Sequence, residues 1–384
     1  MGKIDELIKQ LCPKGVPMVT LDKVLSVATG KQLNKSAMIS DAPYPVVNGG
    51  VEYSGYTENF NSPANSITIS QGGASAGYTQ WINCDFWAGA HCYVVVPYDN
   101  INKRYLFHVL KENESRMMES KQGAGIPGLN RKAVYSLEIP LPPLAIQKKI
   151  VEILDTFTGM IDNLQKELKQ RQKQFEYYKE KWLTFEEGKA TVMKVGDLFD
   201  FKNGLNKEKS AFGQGTSIVN YTDVYKHRGL KKIDLAGLVT LSDKEIERYR
   251  CLKGDVFFTR TSETKEEVGF PSVLLEDIEN CTFSGFVLRA RPKTSKLLPE
   301  YCKYCFFTYS FRKEVIKSAT LTTRALTNGG SLSKIKISIP SLEKQQEIVD
   351  KLDTFETLIS NIKQEIELRQ KQYEFYREKL LTFE

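Results

Sequence analysis

The side chains best suited to work on another molecule lie in a few glycine- and hydroxyl-rich loops. After the β-branched run SITIS come Gln71, Gly72, Gly73, Ala74, Ser75, Ala76, Gly77 and Tyr78. Glycines let backbone N–H groups approach a phosphate, and Gln71, Ser75, Tyr78 and Gln80 carry groups that can meet bases or phosphates. A plain hairpin turn is the other reading. After the apolar strand Val256–Phe258, the run FTRTSETK gathers Arg260, Thr261, Ser262 and Lys265 into one loop. Arg is the commonest reader of guanine; a solvated polar turn is the bland alternative. Further on, GIPGLNR (125–131) and TTRALTN (322–328) occupy equivalent places. They offer Asn130, Arg131 and Arg324 either for paired contacts with a nucleic acid or for pinning the element that follows.

Catalysis finds no comparable footing. Gly123, Gly125 and Gly128 match a dinucleotide fingerprint in letters alone, because no strand precedes them, Pro127 interrupts them and no helix follows. Cys302 and Cys305 share an aromatic helical stretch with no second pair, which points to core packing rather than zinc or redox work. The three histidines, His91, His108 and His227, form no ligand or catalytic pattern, and there is no P-loop.

What positions the loops is a duplicated framework. LAIQKKIVEILDTFTGMIDNLQKELKQRQKQFEYYKEKWLTFE (Leu144–Glu186) returns as LEKQQEIVDKLDTFETLISNIKQEIELRQKQYEFYREKLLTFE (Leu342–Glu384). In the first copy apolar residues fall at Ile150, Leu154, Phe157, Ile161, Leu164 and Leu168, then at Phe175, Tyr178, Trp182 and Phe185. Arg171 fills the gap, and Arg369 fills the same gap in the second copy. A repeat of 3.5 residues sustained this long predicts a coiled-coil seam, best buried by packing the two helices on each other. Arg171 and Arg369 then sit at seam positions, where a polar residue fixes register at a cost in stability, or lean out to a partner's carboxylates. The openings of the two globular segments also match, Gly30 aligning with Gly204. Tyr105 and Arg116 in a helical stretch (102–120) align with Tyr301 and Arg312, while the middles show no resemblance.

The predicted architecture is therefore α+β: two globular mixed α/β domains separated by two long antiparallel coiled-coil helices, a pseudo-two-fold tandem repeat. The expected boundaries are 1–143, with a short helix at 3–11 ended by CPKG, then 144–187, 188–341 and 342–384. The charge of +7 is unevenly spread: residues 1–143 carry 13 basic and 12 acidic side chains, and 188–341 carry 26 and 17. A basic globular domain suggests a polyanion partner rather than an inert surface, and the helices suggest a protein partner. With no long apolar run and seven irregularly spaced cysteines, a cytoplasmic protein with reduced thiols is expected.

IPLPPLAIQKKIVEILDTF and ISIPSLEKQQEIVDKLDTF, the tails RQKQFEYYKEKWLTF and RQKQYEFYREKLLTF, and LIKQLCPKGV resemble the specificity subunits of type I restriction-modification enzymes over essentially the whole chain. SQGGASAGY, FWAGAHCYVV, GDVFFTRTSE and FSGFVLRARP add to the likeness. The resemblance implies two target-recognition domains, each reading half of a bipartite double-stranded DNA sequence. It implies helices that dock two methyltransferase subunits, to which restriction subunits attach. Arg171, Tyr178, Trp182, Arg369, Tyr376 and Leu380 are the candidates for that subunit interface. The chain itself would be non-catalytic and hold no cofactor or metal; S-adenosylmethionine, ATP and Mg are expected on the partner subunits. The Asn/Asp-Pro-Pro-Tyr/Phe signature of adenine methyltransferases is accordingly missing. The competing reading is a coiled-coil scaffold that binds proteins and no specific DNA.

If the helices space two DNA readers, their length belongs to the recognised sequence. One heptad inserted at matching places in both helices keeps the seam in phase and adds about 10 Å. Because added base pairs also rotate the second half-site, a non-specific spacer longer by about one or two base pairs is expected. Methylation mapping of the variant reads this directly, and an unchanged spacer in an active complex removes the ruler idea.

Overall fold

A computed structural model of the chain describes residues 2–120 and 128–383. Gly123 and Gly125 of the fingerprint-like run, and residues 125–127 of the loop before the first long helix, lie outside the described residues. The chain forms two compact units, Met1–Lys166 with Gln364–Glu384, and Glu167–Lys363. Two 40-residue helices, Leu144–Leu183 and Leu342–Leu381, contribute to both units. No helix among the described residues is long and apolar enough to cross a membrane.

In the first unit a helix over Gly2–Leu11 ends at a turn where the Gly15 N–H bonds the Cys12 carbonyl at φ +91. The main sheet is antiparallel, in the order Leu25–Thr29, Cys92–Pro97, Ser66–Ser70, Thr79–Ile82. A smaller sheet pairs Tyr44–Val47 with Gly55–Thr57 antiparallel and with Trp87–Ala88 parallel. The expected helix at 102–120 is two helices, Lys103–Glu112 and Glu114–Glu119. Asn102 caps the first, its side chain accepting from the Arg104 and Tyr105 N–H groups, and the path breaks at Asn113.

The second unit repeats this plan. Phe199–Asn203, Val287–Pro292, Val256–Thr259 and Pro271–Leu274 form the same antiparallel order, extended by Gly229–Leu230. The registers agree as well: Leu25 faces Pro97 and Thr29 faces Tyr93, as Phe199 faces Pro292 and Asn203 faces Leu288. The middles, unrelated in sequence, nevertheless share a topology. Phe212–Val219 pairs antiparallel with Gly237–Val239 and parallel with Thr282–Phe283, matching the smaller sheet of the first unit. Gly30 and Gly204 are indeed equivalent, because a Cβ on either would lie about 2 Å from the carbonyl oxygen of Gly89 or Ser284. The helical stretch is again broken, into Pro299–Cys305 and Tyr309–Ser318. Tyr105 and Tyr301 are both fully buried, and Cys302 and Cys305 are core residues.

The aligned arginines differ. Arg116 is exposed and donates to Asn113, whereas Arg312 donates to the carbonyls of Glu266, Val268 and Gly269. Burial lowers the Arg312 pKa to about 10.

Within each unit the long helices meet in opposite directions. Phe157, early in one, stacks on Tyr376, late in the other, at 5.1 Å between ring centroids. Tyr178 and Trp182, late in the first, meet Phe355, early in the second. Ile150, Leu154, Ile161 and Phe175 are buried, as are Ile348, Leu352, Ile362, Tyr373 and Leu380. Arg171 and Arg369 are not buried seam residues. They are 38% and 36% exposed and turn back along their own helices to Glu167 and Glu365. A guanidinium that can reach solvent and its own helix's carboxylate has no reason to desolvate in the seam, so they do not fix the register.

Each domain is bound to its long helix by a carboxylate. Asp155 accepts from Arg104 Nε at 3.0 Å and from His108 Nε2 at 2.8 Å, while His108 Nδ1 meets the Tyr373 hydroxyl at 2.9 Å. The equivalent Asp353 accepts from Lys303 Nζ and from the Tyr304 hydroxyl. Burial, helped by the Arg104 and Arg377 charges and opposed by Asp155, holds the His108 pKa below its ordinary 6.5. A base whose pKa falls on folding stabilises the native state above its unfolded value, and that contribution is lost as pH drops from about 6.5 towards the folded value. The melting temperature of the first unit is expected to fall between pH 7.5 and 5.5, and His108→Gln to flatten that dependence in calorimetry.

Candidate nucleic-acid interface

The strongest candidate surface grows from one backbone node that occurs in both domains. Strand Ser66–Ser70 and strand Thr79–Ile82 form a hairpin, closed by Ser70 N–H to Tyr78 O and Gly77 N–H to Ser70 O, both 2.8 Å. Gly77 takes φ +98, and a Cβ there would meet Met118 N at 2.9 Å, so glycine is required. The residue after the strand, Gln71, donates its N–H to His91 O at 2.9 Å and accepts from Leu129 N at 2.8 Å. Its side chain sits beside the Tyr93 hydroxyl, and Arg131 lies 5.9 Å over the Tyr93 ring while donating to Thr29 Oγ1. Gln71, His91 and Arg131 thus share one edge of the domain.

In the second domain Thr259 N–H bonds Phe270 O, and Gly269 N–H bonds Thr259 O, both 2.9 Å. The residue after this strand is Arg260. Its N–H bonds Phe286 O at 3.0 Å and its carbonyl accepts from Thr327 N at 3.0 Å. The pattern of the first domain is reproduced bond for bond, although the hairpin is longer and unrelated in sequence. Strand Thr261–Ser262 pairs with Ala325–Leu326, which brings the loops of Arg260 and Arg324 together and sets Arg324 against Glu263 at 3.2 Å.

The expected loop residues are therefore partly regrouped. Tyr78 and Gln80 line a cleft with Val51, Arg104 and Lys111, and Gln71, Gly72 and Gly73 are not among its lining residues. Lys111 Nζ lies 4.3 Å over the Tyr78 ring, and Gln80 Nε2 donates to Val51 O. Ser75 and Lys265 are half-exposed, as is Thr261. Ser262 is buried, and its hydroxyl donates to Glu267 at 2.9 Å, so it is not presented to a ligand.

Arg131 and Arg324 are not structural counterparts. The equivalent residues are Asn130 and Asn328, whose side chains accept from Ala133 N and Ser331 N to cap the short helices Arg131–Tyr135 and Gly329–Leu332. Both loops thus do pin the segment leading to the long helix. Letters aligned around an arginine misled here because the repeated constraint is the cap.

Sequence reading missed His91 and Phe286, which the node brings beside Gln71 and Arg260. Phe286 is 63% exposed. No sequence signal paired them, because FWAGAHCYVV and FSGFVLRARP set letter against letter bring His91 to Leu288 instead. A second omission is a cluster that gathers part of the positive charge of the second domain. Lys202 faces Arg289, and Asp200 faces Arg291, across neighbouring strands. Arg248 and Arg250 join them: Lys202 Nζ donates to Arg248 O, and Arg289 and Arg291 both donate to Arg250 O. Asp255, which is buried, pairs with Arg291, and Asp200 lies 3.7 Å from Lys293. Burial and then the Arg289, Arg248 and Arg291 charges lower the Lys202 pKa. The matching positions of the first domain are Ala28, Val94, Ser26 and Val96, with no charge at all.

Comparison with known proteins agrees with this duplicated plan. The model of the type I restriction modification DNA specificity domain matches twice, over residues 13–173 and 187–368. A putative type I restriction enzyme specificity subunit of Haemophilus influenzae is 31% identical, over 94% of this chain and 98% of its own. The EcoKI specificity subunit of Escherichia coli is 26% identical, over 75% of this chain and 67% of its own. Among solved structures, the S subunit of a type I restriction-modification system from M. genitalium is similar in fold, with a TM-score of 0.61 at 17% identity. That match covers 95% of this chain and 96% of the other.

The basic face predicts a specific loss. In Lys202→Ala/Arg248→Ala, affinity for random duplex DNA should drop and the slope of log affinity against log salt should fall by up to about 2, one phosphate per cation. The recognised sequence should stay the same. Fluorescence anisotropy across a salt series measures both, and an unchanged slope places the duplex elsewhere.

Proposed function

The chain belongs to the type I restriction-modification DNA specificity family, and we propose that each of its two domains reads one half of a bipartite duplex target through the edge that carries Gln71 or Arg260. The observation that supports this most is the repeated node. The same two backbone bonds hold one half-exposed polar side chain in each domain, and only the side chain differs. Specificity needs a rigid backbone and a variable side chain. The chain is the non-catalytic subunit that directs the methyltransferase and restriction subunits of the complex; S-adenosylmethionine, ATP and Mg belong to those partners, and the complex works in the cytoplasm.

The docking of the methyltransferase is assigned to the long helices. Tyr178, Trp182, Tyr376 and Leu380 already pack within this chain, so they can contribute only their remaining rims. Arg171 and Arg369, still partly exposed, stay candidates. The outward groups are Tyr177 and Phe375, exposed at matching places on the two helices, each with a lysine one turn on at 5.8 and 5.9 Å from its ring. Two copies of one aromatic-and-cation surface suit two copies of one partner.

Deleting the gene from its host should erase one bipartite methylation motif in long-read sequencing, and binding of the purified chain to random duplex should weaken steeply with salt. An unchanged methylome together with flat salt dependence would favour the scaffold reading.

A further inference from the structure

We propose that Gln71 and Arg260 are the equivalent base-reading side chains of the two domains, and that Gln71 selects adenine in the first half-site while Arg260 selects guanine in the second. This rests on the DNA-reading function proposed above.

Both residues have their backbone N–H and C=O consumed, by His91 O and Leu129 N in one domain and by Phe286 O and Thr327 N in the other. Neither backbone can shift without breaking two bonds, so the side chain leaves the domain from a fixed point. Two other candidates on the second edge are already engaged. Ser262 is buried against Glu267, and Arg324 is paired with Glu263. Among the described residues the Arg260 guanidinium makes one long contact, Nη1 to Gly285 O at 3.4 Å, which leaves most of its donors available. On the first edge Arg131 is bonded to Thr29, whereas the Gln71 amide, among the described residues, meets the Tyr93 hydroxyl and keeps capacity to spare.

The chemistry of the two side chains then assigns the bases. A guanidinium fork matches the O6 and N7 acceptors of guanine, and a carboxamide, with one donor and one acceptor, matches N6 and N7 of adenine. The neighbours fit an edge laid against a duplex. Gly72 pairs with Gly128 and leaves the backbone low next to Gln71, and exposed Phe286 stands at the residue bonded to Arg260, where an apolar group can meet a thymine methyl.

The test uses the full chain in its methyltransferase complex. Methylome mapping of Arg260→Gln should show a changed base at one position of the second half-site and an unaltered first half. Gln71→Arg should do the converse. Binding of each variant to the original target is expected to drop roughly 5- to 150-fold relative to the newly preferred one.

A measurement on the wild type guards against variants that fold poorly. Replacing the guanines of the second half-site one at a time with 7-deazaguanine, which lacks the N7 acceptor, should weaken binding at one position. Arg260→Met, which keeps the length of the side chain but has no hydrogen-bond donor, should be insensitive to that replacement. Variants that bind with unchanged motifs, or a wild type indifferent to every 7-deazaguanine, overturn the assignment and leave the DNA-reading function standing. A wild-type complex that methylates no bipartite motif removes both.

Discussion

At the start of each long helix one glutamine side chain is wholly buried and bonded at both ends of its amide to backbone from other segments. Gln147 donates to Pro142 O and accepts from Asn102 N, both at 2.7 Å. Gln345 donates to the carbonyls of Pro340 and Lys296 and accepts from Leu298 N. An unmatched amide in such a place costs about 1–3 kcal/mol, so the end of a strand, the start of a domain helix and the start of a long helix are fixed together. Two turns further on, Asp155 and Asp353 add their charged bonds from the same domain helices.

Duplication of such a frame explains why so much chemistry could change without disturbing the fold. The ladder registers, the glycine at Gly30 or Gly204 and the asparagine caps are backbone requirements, and they recur. Between them the side chains are free to differ. Gln71 becomes Arg260, His91 becomes Phe286, and the neutral Ala28 and Val94 become Lys202 and Arg289. At these positions the first domain therefore carries no charge, whereas the second concentrates positive ones. Both strategies fit duplex DNA, where phosphate contacts give affinity and base edges give selectivity.

The sequence by itself determined the number of domains, the two long helices, their antiparallel pairing and the family. All of these depend on periodicity and repetition, which survive in one dimension: a seam every 3.5 residues, and Gln147, Asp155 and Phe157 returning as Gln345, Asp353 and Phe355. The loops that could touch a ligand were also legible as regions, because glycine, hydroxyl and arginine clusters are local.

Only the tertiary structure decided which members of those loops stand together. Ser262 was lost to Glu267 and Tyr78 to a cleft with Lys111, while Arg324 was carried next to Arg260 by a two-residue strand pairing. Arg131 proved to match no arginine, because the repeated element was the Asn130 and Asn328 cap. The common topology of the two divergent middles was likewise invisible, since a pleated ladder is held by backbone bonds that any β-compatible side chain permits. Long-range hydrogen bonds leave no spacing in the sequence, and the node that unites Gln71 with Arg260 is made of nothing else.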